Sequence, residues 1–312
     1  SNPDSEDSLD VTLDAAPIGL EHGGQPYMTT DGFIVQPLEF PGGDIGSLAV
    51  HGTVNDLAMA GARPLYLSAG FILEEGLPMD DLWRIVQSMR EAAQDVGVRI
   101  VTGDTKVVDR GKGDGVYLNT AGVGVLASEP ALGPQRIRPG DAILLNGDIA
   151  RHGTALMAAR EQLGFTGQIK SDLADLSRTV LALLEADVGV HCLRDLTRGG
   201  LASAVCELAA AAGCDLEIDE TAIPVRAEVR ALCEVLGLDP LHVANEGRLV
   251  AFVAASDVAP ALEILAQGPG ADGAQVVGRV ASAGSGQVTL RNAVGASRIL
   301  VPLSGEQLPR IC

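Results

Sequence analysis

Acidic residues recur beside glycines and other small polar residues along the chain. They are Asp31-Gly32, Asn55-Asp56, Gly103-Asp104-Thr105-Lys106, Arg194-Asp195 followed by Thr197-Arg198-Gly199-Gly200, and Asn245-Glu246-Gly247. Carboxylates of this kind, brought to one place, bind Mg²⁺, a cation that takes oxygen ligands and shares them with substrate phosphates. Lys106 and the N–H groups of a helix starting at Gly199-Gly200 supply positive potential for an anion. Each motif alone has a plainer reading. Asp-Gly is a turn dipeptide, Arg194-Asp195 is a possible ion pair, and an Asn-Asp pair is ordinarily a solvated helix face. Asn55-Asp56, however, lies in an apolar run, where an unpaired carboxylate is costly. Together these residues point to a Mg–nucleotide site whose reaction they leave open. The chain has no P-loop, no strand-linked G-x-G-x-x-G, no H-E-x-x-H and no G-x-S-x-G.

The elements that must position these residues follow from hydrophobic periodicity. Tyr27 to Val35 reads as a strand interrupted at Asp31-Gly32, and Asp44 to Gly61 as a helix with a small-residue face of Ala49, Gly52 and Ala60. Leu65 to Leu73 reads as a strand. Asp80 to Val96 is the clearest amphipathic helix, with Leu82, Ile85, Val86, Met89, Ala92, Ala93 and Val96 in one stripe and Gly97 as its cap. Val98 to Val101 and Val116 to Leu126 read as strands around a polar Gly/Lys/Asp-rich loop. Ser128 to Gly140, with three prolines and two glycines, reads as a linker. A second series follows, with strands at 142–145, 188–193, 215–218 and 249–254. Its helices are expected at 154–163, 172–185, 200–212, 227–236 and 259–267, and short strands run on to Val301. The fold class is α/β and α+β in two domains.

The 312 residues carry 22 Lys and Arg against 41 Asp and Glu, a net charge of −19, with 46% hydrophobic residues. That balance excludes nucleic acid and anionic membrane surfaces as partners, because both require clustered cations. No apolar run is long enough to span a bilayer, and no signal peptide is read ahead of the fold. Five cysteines are present, Cys192, Cys206, Cys214, Cys233 and Cys312, with no C-x-x-C pair among them. A disulfide framework and a structural zinc are therefore not expected, and a cytoplasmic setting is. Prenylation of Cys312 is excluded, because that needs a cysteine fourth from the end. Pro302 and Pro309 stiffen a tail whose last ten residues could reach ~30 Å.

Longer fragments are more specific. They are F-P-G-G-D-I-G (Phe40 to Gly46), G-T-V-N-D-L-A (Gly52 to Ala58), G-F-I-L-E-E-G-L-P-M (Gly70 to Met79), V-T-G-D-T-K-V-V (Val101 to Val108), R-D-L-T-R-G-G (Arg194 to Gly200), A-N-E-G (Ala244 to Gly247) and P-R-I-C (Pro309 to Cys312). From about Thr29 to Cys312 the chain resembles the HypE family, the carbamoyl-cysteine dehydratases of nickel–iron hydrogenase maturation. That family lies within the aminoimidazole ribonucleotide synthetase and selenophosphate synthetase superfamily. The resemblance implies an N-terminal ATP-binding and dimerisation domain over 1–132, its sheet pairing with a second copy's in a homodimer. It also implies a C-terminal α+β domain over 133–302, and a mobile tail over 303–312 ending in the cysteine that carries the substrate.

It further implies a reaction. The carbamoyltransferase HypF would carbamoylate Cys312, ATP would phosphorylate the carbamoyl oxygen, and loss of phosphate would leave a thiocyanate, the source of iron cyanide ligands passed to a HypC–HypD complex. By motif position Asp31, Asp56, Asp104 and Asp195 would hold Mg²⁺, and Asn55, Thr105, Lys106, Arg198, Gly199 and Gly200 would contact ATP. The base is left between Glu246 and Lys106, with Glu246 the better candidate because removing an N–H proton calls for a carboxylate within reach. Two departures stand out. The family's glycine-rich opening segment is not recognisable, since Glu21-His22-Gly23-Gly24 reads as a turn. His51 sits where a small residue or cysteine is expected, and reads as a packed helix histidine. The rivals are another Mg–ATP enzyme of the superfamily and a non-catalytic dimeric scaffold that presents its tail. A selenophosphate synthetase would want a reactive cysteine near the N-terminus, and residues 1 to 191 contain none.

Overall fold

The computed structural model of the protein describes residues 24–161, 169–269, 273–302 and 310–311. The Glu21–Gly23 turn, most of the expected tail and Cys312 lie outside the described residues. The first part of the chain runs β1 (Pro26–Phe33), a two-stranded hairpin β2 (Glu39–Phe40) and β3 (Gly43–Asp44), α1 (Ile45–Met59), β4 (Ala62–Glu74), α2 (Met79–Val96), β5 (Arg99–Val108) and β6 (Val116–Leu126). Four of these strands form one sheet in the order β1-β6-β4-β5, with only β4 and β5 parallel.

Helix α1 starts at Asp44, whose carboxylate accepts the Gly46 and Ser47 N–H groups, while Ser47 Oγ accepts the Asp44 N–H. The predicted small-residue face packs close to the sheet: a Cβ on Gly52 would stand 2.9 Å from the Phe33 ring. Helix α2 buries Ile85, Met89, Ala92 and Ala93 and ends at Gly97 in the left-handed conformation, as its stripe predicts.

Two local expectations are corrected. Asp31-Gly32 does not interrupt β1, because β6 pairs with it throughout, Asp31 opposite Thr120 and Gly32 opposite Asn119. Gly103 to Lys106 is not a loop but the middle of β5, with Gly103 opposite Ala69. A Cβ at 103 would lie 2.3 Å from the Ala69 carbonyl oxygen, so glycine is there to let two strands meet. In both places sheet pairing overrides turn propensity.

The second part comprises β7 (Ala142–Leu145), α3 (Arg151–Arg160), α4 (Ser177–Glu185), β8 (Val190–Asp195), α5 (Gly200–Ala212), β9 (Cys214–Asp219), α6 (Ala227–Leu236), β10 (Leu249–Val253), α7 (Val258–Leu265), β11 (Gln275–Ala283), β12 (Val288–Arg291) and β13 (Ser297–Leu300). Its seven-stranded sheet has the order β13-β12-β9-β11-β7-β10-β8. The helix expected from residue 172 begins only at Ser177. The segment 170–176 is instead an irregular strap whose backbone is held by side chains from elsewhere in the chain.

The two sheets meet through shared core. Leu156 of α3 and Ala244 join the apolar cluster of Phe33, Phe40 and Leu48, while Ala58 and Met59 of α1 join that of α4 and α7. Among the described residues no helix is long and apolar enough to cross a membrane.

Candidate active site

Asp31 is carried by β1, Asp56 by α1 and Asp195 by the end of β8, so one strand from each sheet and one helix contribute a carboxylate each. Asp56 Oδ2 accepts the Thr29 hydroxyl at 3.0 Å. Asp56 and Asp195 line an open cleft of ≈ 630 Å³ together with Tyr27, Thr29, Arg194 and Thr197. The carboxylates raise one another's proton affinity. Burial and then Asp56 push Asp195 up to about 7, with Asp31 adding to the rise. Burial and Asp56 likewise raise Asp31, and burial raises Asp56 against its Thr29 bond.

Glu246 faces the same group. It is buried, its Oε1 has no hydrogen-bond partner, and its acidity is suppressed well below a usual glutamate by burial, then Asp195, Asp172, Asp31 and Asp56. Four mutually repelling carboxylates, only partly offset by Arg194 and Arg198, suit a cation brought in with its own ligands. Among the described residues no three His, Cys, Asp or Glu side chains stand close enough for a protein-only metal cage. A Mg²⁺ ion bound here would take one or two of these carboxylates and complete its shell with waters and phosphate oxygens.

Other predicted residues fall elsewhere. Asp104, Thr105 and Lys106 are exposed on β5, where Lys106 Nζ bonds the Asp104 carboxylate at 2.7 Å and lowers its pKa. Strands β1 and β5 are the opposite edges of the sheet. Asp31, Thr120, Ala69 and Gly103 form one row across it, so three strand spacings, about 14 Å, separate Asp31 from the Asp104 segment. A single chain does not bring these two groups together.

Exposed Arg198 acts on Asp31 and lowers its pKa. Gly199 and Gly200, at φ 77° and 59°, begin α5. The expectation of a free Gly200 amide is corrected, because that N–H is donated to the Thr197 carbonyl at 3.0 Å. Glycine at 200 serves packing, since a Cβ there would meet the Leu241 and Val243 carbonyl oxygens at 2.7 Å. Asn55 is fully engaged in holding the strap: its amide donates to the Ala174 and Glu246 carbonyls, and its oxygen accepts the Leu176 N–H. His51 is a packed helix residue as read, with an unpartnered Nδ1 and a pKa lowered by burial.

The end of the chain returns to this region. Gln36 N–H bonds the Arg310 carbonyl at 3.2 Å, and Ile311 is buried in the cluster that contains Leu156 and Ala244, two residues before Glu246. The acidic cleft, the buried glutamate and a docked chain end thus share one seam.

Comparison with known proteins decides the family. The AIR synthase related protein family matches in two parts, its N-terminal domain over residues 13–126 and its C-terminal domain over 138–291. The carbamoyl dehydratase HypE of Rhodobacter capsulatus is 52% identical over 310 residues, 99% of this chain and 90% of that one. The chain belongs to the HypE family. It is accordingly an enzyme of the carbamoyl dehydratase type, and its mixed two-part fold is that of HypE. The HypE of Escherichia coli K12 is 44% identical over 308 residues, covering 99% of this chain and 90% of its own. A crystal structure of HypE in complex with ATP superposes with a TM-score of 0.94 at 48% identity, over 97% of this chain and 91% of that one. A HypE–HypF complex matches with a TM-score of 0.85 at 45% identity, over 89% and 90%. Thiamine monophosphate kinase of Aquifex aeolicus, at 18% identity and a TM-score of 0.62, shares the fold alone.

Set in the HypE family, five residues near the seam escaped sequence reasoning: Asp148, His152, Ser171, Asp172 and Arg248. Arg248 is 1% exposed and directly precedes the apolar strand β10, a cation beside a hydrophobic run that was there to be noticed. Asp172 accepts the Glu246 and Gly247 N–H groups on Oδ2, at 3.3 and 3.2 Å, and leaves Oδ1 without a partner.

The repulsion in the cleft makes a stability prediction. Asp195 is bound by its proton more tightly when folded (about 7) than at its ordinary 3.8. Its contribution is therefore most favourable below pH 4 and is lost as pH rises through about 7. Asp195→Asn is expected to raise the melting temperature at pH 8, by about 2–4 °C for each kcal/mol relieved, with the gain shrinking toward pH 4. The same variant should lose Mg–nucleotide affinity. Thermal scans at the two pH values check the first half; an unchanged or lowered melting temperature at pH 8 contradicts it.

Proposed function

We propose that the protein dehydrates an S-carbamoyl group on Cys312 to a thiocyanate at the expense of ATP, as a step in making iron cyanide ligands for a nickel–iron hydrogenase. The observation that carries this reading is the chain end itself: Arg310 is bonded to Gln36, and Ile311, one residue short of the cysteine, is buried in the core cluster that includes Ala244, two residues before Glu246. The names of the HypE relatives and the HypE–ATP crystal structure support it.

In the proposed sequence the carbamoyl oxygen attacks the terminal phosphorus of ATP, ADP departs, and one N–H proton is lost. The carbon–oxygen bond then breaks, phosphate leaves with the former carbamoyl oxygen, the second N–H proton is lost, and a C≡N triple bond remains on sulfur. Glu246 is the base, poised by its raised proton affinity. Mg²⁺, held by one or two of Asp31, Asp56 and Asp195 together with phosphate oxygens, would neutralise the phosphate charge. Arg194 and Arg198 supply fixed positive charge at the cleft.

We further propose a homodimer. The four-stranded sheet has α1 and α2 on one face, while Met28 and Ile72, on the other face by register, stand 73% and 43% exposed. Pairing two such sheets covers this apolar surface and brings Asp104, Thr105 and Lys106 of one copy toward the cleft of the other, which one chain cannot do. HypF as carbamoyl donor is supported by the HypE–HypF structure, and a HypC–HypD complex is the proposed acceptor of cyanide. Division into a unit ending near residue 132 and a second from 133 to 302 accords with the two separate sheets.

The scaffold alternative predicts ATP binding without turnover. Cyanate-treated chain, carbamoylated on thiols, should release one equivalent of phosphate from Mg–ATP, and untreated chain should release none. Equal release from both rejects the reading. Lys106→Met is expected to lower phosphate release at least tenfold in the homodimer, and mixing it with a Glu246→Gln chain should restore part of the activity if the two residues act across copies.

A further inference from the structure

Glu246 and Cys312 do not explain how a cysteine on a tail is presented to a base on a buried turn. At Arg310 the backbone is left-handed, with φ 59°, and this bend sends Ile311 inward until it is 4% exposed. The Arg310 carbonyl accepts the Gln36 N–H at 3.2 Å and Arg160 Nη2 at 2.8 Å. The Ile311 carbonyl lies 2.9 Å from Nε2 of His152, on α3.

A carbonyl only accepts, so Nε2 carries the hydrogen. Nδ1, 2.8 Å from Ser171 Oγ, then accepts the serine hydroxyl, whose oxygen accepts the Leu173 N–H at 3.0 Å. The imidazole is buried, and the Phe40 ring meets it edge-on at 5.4 Å. Burial favours this uncharged ring and outweighs the opposite pull of the Ile311 bond. Ser171 is anchored in turn by its N–H to the Pro41 carbonyl. The next residue, Asp172, holds the Glu246 turn. Two adjacent residues of one strap therefore hold the chain end and the base.

We propose that His152 is a positioning residue for the dehydration: bonded to Ser171, it fixes the Ile311 carbonyl in register with the Glu246 turn held by Asp172, and so delivers residue 312 to the base in one orientation. This rests on the dehydratase reading, and its test carries one readout of chemistry and one of docking.

The full chain is carbamoylated with cyanate and mixed with saturating Mg–ATP, and single-turnover water loss is followed by mass spectrometry. Hydrogen exchange at the Gln36 amide, which is donated to Arg310, reports docking without any chemistry. His152→Ala is expected to slow dehydration about tenfold or more and to speed Gln36 exchange by a similar factor, with cyanate labelling of Cys312 and ATP affinity unchanged. His152→Gln, whose Nε2 amide still donates, should recover most of both. Ile311→Gly, which alters only the chain end, should reproduce the alanine variant's two effects if His152→Ala fails to fold.

Parent-like dehydration and exchange in His152→Ala, or in Ile311→Gly, overturn the proposal. A glutamine variant as slow as alanine at an unchanged melting temperature overturns it as well, because the bond donated to the Ile311 carbonyl would then not be what the reaction needs. If the parent chain loses no water, the dehydratase reading fails, and the exchange readout still decides whether His152 docks the tail.

Discussion

Glu246→Gln is expected to slow dehydration of the carbamoylated chain by about 10²–10⁴ while leaving the fold and Mg–ATP binding in place. Gln is the same shape and keeps the backbone N–H groups of Glu246 and Gly247 on Asp172. What it removes is a buried carboxylate whose Oε1 has no partner. Burial and the neighbouring carboxylates hold its proton affinity well above that of an ordinary glutamate, which suits a base that must take a proton from weakly acidic nitrogen. A Mg²⁺ ion held among the neighbouring carboxylates would draw that affinity back down and favour the ionised group. The rate should accordingly fall as pH is lowered, because only the ionised carboxylate accepts a proton. Single-turnover rates across pH check both parts. A Gln variant within threefold of the parent, paired with a much slower Lys106→Met, would move the base to Lys106.

Asp148→Ala is expected to cost about 3–5 kcal/mol, enough to unfold much of the protein at ordinary temperature. Arg248 is buried, and its guanidinium bonds Asp148 twice, through Nε to the backbone oxygen at 2.6 Å and through Nη2 to Oδ1 at 2.7 Å. Arg151 and Arg226 reach Oδ2 at 2.9 and 2.8 Å. Burial alone would raise the Asp148 pKa, but the three arginines outweigh it and hold the carboxyl below its usual range. Truncation leaves Arg248 with only backbone carbonyls, those of residues 148 and 247, as bonded partners, and takes from Arg151 and Arg226 the carboxylate they pair with. Because Gly247 and Arg248 follow Glu246 directly, the loss also loosens the turn that carries the base. Urea unfolding measures the cost; a change below 1 kcal/mol contradicts it. Asp148→Asn, which keeps one acceptor, should lie between parent and Ala.

The fold was legible where one element's own pattern decides it. Helix α2 follows from its stripe, and Gly97 ends it in the left-handed region as read. Legibility failed where a distant partner decides. Gly103-Asp104 has turn chemistry, yet β4 pairs along it and makes it strand. Residues 172–176 continue a helical pattern, yet Asn55, 121 positions from Leu176, takes the backbone amide a helix would need. The candidate site divides in the same way. Asp56 stands out in sequence because a carboxylate in apolar surroundings demands a reason, whereas Asp195 and Glu246 are reached through the motifs that contain them. His152, Ser171 and Asp172 do not stand out, because their roles exist only once the chain end, 159 positions from His152, is docked against them.

The central claim is that this chain carries and transforms its own substrate. Cyanate-treated protein should be incubated with Mg–ATP and its C-terminal peptide weighed by tandem mass spectrometry. Loss of the mass of one water, located on Cys312, dependent on ATP and absent from Cys312→Ala, is the predicted result. A carbamoylated Cys312 that keeps its mass through complete consumption of the ATP would contradict the account.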